Sequence, residues 1–316
     1  MILSIVLLVV GFIILIKGAD IFVDGASSIA GNFKVSKMLI GLTIVAFGTS
    51  APELAVSIKS ITAGSGDIVL GNVVGSNILN ILLILGISAL VHSLTVKNNT
   101  VKKELPITLL ITILFSVLLL DSLFDPNTVN AFTRSDGIVL ILFFTVFIYY
   151  LISIMRNKTE EKIEEEYMPL FKAITFTLLG IIAVVLGSNF VVDSSSNLAK
   201  ALGISERMIA LTIVALGTSL PELVTSVSAT KKGHYDIAIG NVVGSNIFNI
   251  GLVIALPSAI FGGIGNVTFN YIDIIVMIIS ALLLFIFSIG DRKINRKEGI
   301  IFLLIFVIYY GYVIMS

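Results

Sequence analysis

Residues 48–57 read GTSAPELAVS, and residues 217–226 read GTSLPELVTS. Both lie in runs of Leu, Ile, Val and Phe apolar enough for a lipid bilayer. Each nevertheless carries a helix-breaking proline, Pro52 or Pro221, followed at once by a carboxylate, Glu53 or Glu222. A charge near the bilayer centre costs roughly 2.5–3.5 kcal/mol on insertion scales. A spanning helix avoids both features unless they serve something, and here they come together, twice.

Composition sets the environment. The chain has 316 residues, 57% of them hydrophobic and only 13% charged, with a mean hydropathy of +1.08. Soluble domains carry about 25% charged residues, so this is an integral membrane protein. The net charge is zero, which gives nucleic acid no purchase, and there is no cysteine for disulfides, zinc knuckles or thiol chemistry. His92 and His234 fall in loops and read as solvated residues rather than ligands. No positively charged segment or small-residue cleavage site marks a signal peptide, so the first apolar run reads as a true helix.

A spanning helix needs roughly 20 mostly apolar residues. The sequence predicts ten: 2–24, 38–60, 68–92, 104–121, 135–155, 170–198, 207–230, 237–261, 269–289 and 298–315. Assigning alternate loops to one side collects Lys34, Lys37, Lys97, Lys102, Lys103, Arg156, Lys158, Lys162, Lys172, Lys231, Lys232, Arg292, Lys293, Arg296 and Lys297 there. The other side keeps only Lys59, Arg134, Lys200 and Arg207. The positive-inside rule makes the rich side cytoplasmic and both termini extracellular. A miscounted helix would scramble this asymmetry. The charged run 156–168 reads as a solvated connector.

One offset relates the two halves. Adding 169 carries Gly48-Thr49-Ser50 to Gly217-Thr218-Ser219, Pro52-Glu53-Leu54 to Pro221-Glu222-Leu223, and Asp24 to Asp193. LTIVA at 42–46 recurs at 211–215, and GNVVGSNILNI at 71–81 recurs at 240–250 with Phe248 in place of Leu79. Five spans per copy is an odd number, so the second copy enters the membrane from the opposite side. The expected fold is all-α and integral to the membrane: ten transmembrane helices as two inverted five-helix repeats. Residues 1–155 form the first repeat, 156–169 a short cytoplasmic linker and 170–316 the second. Inverted repeats with broken helices at mid-membrane are the architecture of many secondary transporters. Lipid packing alone would also suit a duplicated bundle, but it leaves the repeated polar residues unexplained.

The chemistry follows from the motif. Pro52 has no N–H and clashes with the carbonyl four residues back, that of Gly48. The carbonyls near Gly48 and Thr49, and that of Ala46, are expected to lose helical partners, as are those near Gly217 and Thr218. Freed backbone is tolerated in lipid only where protein encloses it or a cavity is lined. Two glutamates brought together repel unless cations or protons neutralise them. A protonated glutamate bonding two helices is the structural alternative. Ser76 and Asn80 share a helix face, with Asn72 one turn back, and Ser245, Asn249 and Asn241 repeat this. Gly71, Gly75, Gly240 and Gly244 permit close helix approach. The pooled ligands are all oxygen, which suits hard cations and calcium more than magnesium. The lack of thiolate and motif imidazole argues against zinc, copper or nickel. One calcium ion balances two glutamates, and sodium ions competing for the same carboxylates would give exchange.

At these residues the sequence resembles the sodium/calcium exchanger family of the cation/calcium antiporter superfamily, in its prokaryotic form without a regulatory domain. GTSAPE with GNVVGSNILN, and GTSLPE with GNVVGSNIFN, look like its two α-repeats. The resemblance implies that Glu53 and Glu222 are the central calcium ligands, helped by the carbonyls of Thr49 and Thr218. It implies that sodium uses these glutamates with Thr49, Ser50, Ser76, Thr218, Ser219 and Ser245 and the carbonyls of Ala46 and Ala215, with Asn80 and Asn249 lining the middle. Proton/calcium exchangers typically show Gly-Asn-Ala where this chain has Gly-Thr-Ser, which favours sodium. Potassium-dependent members usually carry Asp at the position of Asn249, which puts a potassium requirement in doubt.

The implied activity is antiport of sodium for calcium by alternating access, with the first and sixth helices sliding or rocking past a fixed site. Asp24 and Asp193 lie toward the ends of those helices, and Lys17 and Asp20 are expected to pair. Calcium, sodium and the lipid bilayer are the expected partners of a chain expected to act as a monomer, with no cofactor and no enzymatic activity. Proton/calcium exchange is the alternative. A paired-carboxylate intramembrane hydrolase and a passive channel are more distant ones.

Overall fold

In the computed structural model, residues 2–124, 127, 129–156, 167–203, 215–265 and 270–315 are described. Nearly all of them are helical, because a chain in lipid must satisfy its backbone groups internally. The first pass is α1, Ile2–Phe33, and the second is a broken pair, α2 at Lys37–Thr49 and α3 at Ala51–Thr62, bent by 45°. Then come α4 at Gly66–Val91, α5 at Leu105–Leu119 and α6 at Arg134–Arg156. The second half runs α7 at Leu170–Ala201, α8 at Ala215–Thr218, α9 at Leu220–Lys231, α10 at Tyr235–Phe261, α11 at Tyr271–Ile289 and α12 at Arg296–Met315.

Seven of these helices are each long and apolar enough to cross a membrane alone, and α2 with α3 qualifies as a bent pair. The fourth expected span is the 15-residue α5, preceded by a π-helical turn at Thr100–Glu104. The start of the seventh, 207–214, lies outside the described residues, as do 157–166 of the linker and residues 211–214 of the repeated LTIVA.

Loop contacts agree with ten crossings. Strand β1, Leu94–Thr95, pairs antiparallel with β2, Lys293–Ile294, and Lys97 pairs with Asp236 at 2.8 Å. All four segments belong to the basic side. On the other side, Phe132 bridges Ile264. Among the described residues, no such contact joins loops that the alternation places apart.

The offset of 169 survives in the backbone. Helix α3 spans 51–62 and α9 spans 220–231; α4 turns π-helical at Asn80–Leu85 and α10 at Asn249–Ile254. The layers differ sharply in exposure. Helices α4 and α10 bury 78% and 94% of their apolar windows, whereas α1 and α7, 32 residues each, bury only 28%. So α4 and α10 form the inner layer and carry the small and amide-bearing residues of GNVVGSN.

The outer pair α1 and α7 is bonded to itself by glycines. A Cβ added at Gly11, Gly18 or Gly25 would meet Phe190, Ala183 or Thr177 at 2.9, 2.7 and 2.6 Å. Gly180 and Gly187 lie equally tight against Phe22 and Leu15. These pairings run antiparallel, and they explain why α1 outlasts its predicted end at residue 24. The small and polar stretch 25–33 leaves the apolar span but stays packed, with Gly25 on Thr177 and Gly31 under the Tyr167 ring.

Candidate ion-binding site

Both proline motifs break their helices at the serine. Ser50 has φ −85° and ψ 5°, and Ser219 has φ −88° and ψ 1°, so each new helix starts just before the proline. Proline is tolerated at the first turn because the missing N–H would be unpaired there anyway. Glu53 and Glu222 therefore sit in the first turn of α3 and α9, where the helix dipole favours negative charge. Both are 1% exposed. Asn72 and Asn241 donate to the carbonyls of Glu53 and Glu222, each at 3.4 Å, so α4 and α10 brace the two first turns in the same way.

The freed carbonyls are only partly free. The Ala46 carbonyl, expected to be open, accepts the Ser50 N–H at 3.0 Å and lies 3.3 Å from the Thr49 hydroxyl. The Ser50 amide takes one lone pair of that carbonyl, and the Thr49 hydroxyl faces the other. The Gly217 carbonyl accepts the Ser188 hydroxyl of α7 at 2.8 Å. Ala19 stands at the position matching Ser188, and among the described residues no side chain donates to the Gly48 carbonyl. Ala215 opens α8 at the edge of the described residues.

The side chains converge from both halves. The Ser50 hydroxyl lies 3.0 Å from Glu222 Oε1 and 3.0 Å from Ser245 Oγ, which is itself 3.4 Å from that carboxylate oxygen. Ser219 reaches Ser76 at 3.5 Å. Thr49 donates toward Asn241 Oδ1 at 3.0 Å, and Thr218 stands beside Glu53. Glu53 lies within electrostatic reach of Glu222. Sites formed this way are shared between copies: Ser50 of the first serves Glu222 of the second.

Four amides cross-link the centre. Asn80 Nδ2 donates to Asn246 Oδ1 at 2.9 Å, Asn249 Nδ2 to Asn77 Oδ1 at 3.4 Å, and Asn246 Nδ2 to the Asn77 carbonyl at 3.4 Å. Asn80 and Asn249 were expected here; Asn77 and Asn246 were not. Their signal was present, since Ser-Asn recurs at the same register in both copies. A single helical face drawn through Asn72, Ser76 and Asn80 leaves them out. Ser188 gave no such signal, because nothing in its own copy repeats.

What remains unpaired points to a cation. Both carboxylate oxygens of Glu53, Glu222 Oε2, Thr218 Oγ1, Asn80 Oδ1 and Asn249 Oδ1 are buried with no hydrogen-bond partner among the described residues. Buried acceptors left unpaired are costly. Apart from the hydroxyl and one unpaired amide donor, Asn77 Nδ2, these atoms are acceptors, so a positive charge completes the cluster better than another hydrogen bond. No group of three or more His, Cys, Asp or Glu gathers among the described residues. Any ion held here relies on two carboxylates plus neutral oxygens, the donor set of hard cations.

His92 is exposed in its loop as expected, and His234 is half-buried. His92 stacks on Tyr235 with centroids 4.9 Å apart, and His234 Nδ1 lies 3.1 Å from Lys37 Nζ, both on the basic side and away from the glutamates. The expected Lys17–Asp20 pair does not form. The Asp20 carboxylate instead accepts the Ser228 hydroxyl at 2.6 Å, because α9 brings a closer donor than the next turn of α1.

Comparison with known proteins places this arrangement. The family model described as sodium/calcium exchanger protein matches residues 3–153 and again 172–315. The sodium/calcium exchanger MaX1 of Methanosarcina acetivorans is 34% identical, over 95% of each chain. The inner membrane protein YrbG of Escherichia coli strain K12 is 36% identical over 83% of this chain and 82% of its own. A solved structure of the sodium-calcium exchanger NCX_Mj, soaked with sodium and calcium, superposes with a TM-score of 0.85 at 34% identity, covering 98% of both chains. With the repeated proline–glutamate motif, the broken helices and these matches together, the chain belongs to the sodium/calcium exchanger family.

Proposed function

We propose that this protein is a secondary antiporter that exchanges sodium for calcium across the cell membrane by alternating access, extruding calcium on the sodium gradient. The observation that carries it is the cluster of unpaired, buried acceptor oxygens around Glu53 and Glu222. Calcium and sodium are the cargo, and no cofactor is needed. Two carboxylates balance one calcium ion. The hydroxyls of Thr49, Ser50, Ser76, Thr218, Ser219 and Ser245 are the neutral oxygens that sodium ions would add, with the Ala46 and Ala215 carbonyls. Asn80 and Asn249 line the middle. Because both ions need the same two carboxylates, neither is held well while the other is.

The basic side is taken as cytoplasmic, with both termini outside. Residues 1–155 and 170–316 are the two repeats, joined by the 156–169 linker. The separate family matches and the constant offset support that division.

Protons could in principle neutralise the same glutamates, so coupling is the decisive measurement. The purified protein is reconstituted in vesicles, and ⁴⁵Ca²⁺ uptake is driven first by an outward sodium gradient and then by a pH gradient at zero sodium. Uptake on sodium alone is expected. Uptake on the pH gradient alone would sink sodium coupling and make protons the coupling ion.

A further inference from the structure

Away from the ion site, a tightly bonded charged cluster sits where α1 meets the basic-side end of α9. Lys232, directly after α9, donates to Asp24 Oδ1 at 2.6 Å and to the Asp20 carbonyl at 2.7 Å. Ser228 adds its bond to the Asp20 carboxylate. These three bonds fasten α1 to the helix whose first turn holds Glu222, and α1 packs along α9 between them. Behind this contact the basic-side approach to Glu222 is shut: Thr225, Ser226, Gly240, Asn241 and Gly244 are all buried. The side chains of Lys232 and Asp24 are themselves 25% and 45% exposed. A pair that wet is worth little, so it parts easily.

The opposite end lacks the contact. The offset carries Asp24 to Asp193, Ser228 to Lys59 and Lys232 to Ala63. Lys59 and Asp193 are both exposed, and neither has an ion-pair partner among the described residues. Helix α7 makes no packing on α3 comparable to that of α1 on α9. Each end thus owns one lysine and one aspartate on matching helices, with Lys59 one helical turn before the position that matches Lys232.

We propose that Lys232 with Asp24, and Lys59 with Asp193, are reciprocal latches of the transport cycle. They are positioning residues that touch no transported ion, and the assignment rests on the exchange reading above. In the conformation described, the Lys232 latch holds α1 closed over the basic-side approach. Helices α1 and α7 move as one body, because their close glycine contacts interlock the two backbones. When that body shifts, the Lys232 bonds part, and Lys59 engages Asp193 to close the other approach.

The test reads sidedness. Apparent calcium affinity is measured from each side of oriented vesicles for the unmodified protein, Lys232→Met, Lys232→Arg and Lys59→Met. Affinity from a given side scales with the fraction of protein open to that side. Loss of a half-exposed ion pair shifts that fraction by about 1.4- to fivefold. Lys232→Met is expected to raise basic-side affinity and lower the other, Lys59→Met to do the reverse, and Lys232→Arg to behave as the unmodified protein. A merely structural role would not produce opposite signs. Ratios unchanged in both methionine variants, or moved the same way, would overturn the latches while leaving the exchange reading intact. Absence of sodium-driven flux in the unmodified protein would overturn the exchange reading instead. An independent readout uses the cysteine-free background. A Lys59→Cys, Asp193→Cys pair is exposed to a short bifunctional thiol reagent. Cross-linking is expected to speed up when both ions are present and the cycle turns, and a rate indifferent to the ions would also overturn the proposal.

Discussion

The segments 48–57 and 217–226 are nearly the same in sequence and are not in the same condition. Around Glu222 everything is closed: Pro221, Thr225, Ser226 and Asn241 are buried, and serine hydroxyls reach its Oε1. Around Glu53 the wall is looser. Pro52 and Asn72 are half-buried, Gly71 is exposed, and neither carboxylate oxygen has a partner among the described residues. A strictly symmetric dimer of repeats would show equal burial. Under the exchange reading proposed above, inequality between two copies of one motif is what a site open toward one side requires.

The largest expected effect concerns the glutamates. Loss of an outer-shell partner alone costs about 10–100-fold in metal affinity. Glu53→Gln and Glu222→Gln should each therefore lower sodium-driven ⁴⁵Ca²⁺ flux by more than about a hundredfold. Their thermal midpoints in ion-free detergent should differ, with Glu53→Gln gaining more, since Glu53 is the carboxylate without donors. Equal midpoints would erase the asymmetry of the two surroundings.

Next come the matching glycines. A Cβ on Gly244 would lie 2.7 Å from the Ala46 Cβ, whereas nothing among the described residues lies within 4 Å of one on Gly75. Overpacking costs about 1–3 kcal/mol, so Gly244→Val should lower the thermal midpoint and Gly75→Val should not. Flux should fall in both, because Gly75 must pack when the copies exchange roles. A Gly75→Val protein with full flux would break the comparison.

The smallest effect sharpens it. Ser188 caps the Gly217 carbonyl at 2.8 Å, and Ala19 stands in its place in the other copy. Ser188→Ala should cost roughly 0.5–1.5 kcal/mol, the net worth of one hydrogen bond, read as a lower thermal midpoint in detergent.

Much of this was legible in the sequence because the governing constraints are local or exactly repeated. Bilayer thickness sets span length, the lysine and arginine asymmetry tests the count, and a proline fixes where a helix must break. The break at Ser50 and Ser219 follows from Pro52 and Pro221, and the convergence of the two motifs, with Ser50 reaching Glu222, follows from the inverted repeat. What the sequence hid depends on contacts between distant segments. Hydropathy ends α1 near residue 24 because it registers lipid, not the packing of Gly25 and Gly31. Proline chemistry frees the Ala46 carbonyl, yet the Ser50 amide takes it up. Lys17 looked like the partner of Asp20 by spacing, and Ser228 displaced it from 208 residues away. The π-helical turns at Asn80–Leu85 and Asn249–Ile254 had no compositional sign at all.

The length of the outer pair carries a further consequence. Helices α1 and α7 have 32 residues each, about 48 Å at 1.5 Å per residue. A hydrocarbon core is about 30 Å thick. The apolar part of α1, residues 2–24, is close to that thickness, so its extra length projects beyond the core on the basic side. Most of the surface of this pair faces acyl chains rather than protein. The thickness of the surrounding bilayer thereby sets how far this pair stands out of it on the basic side.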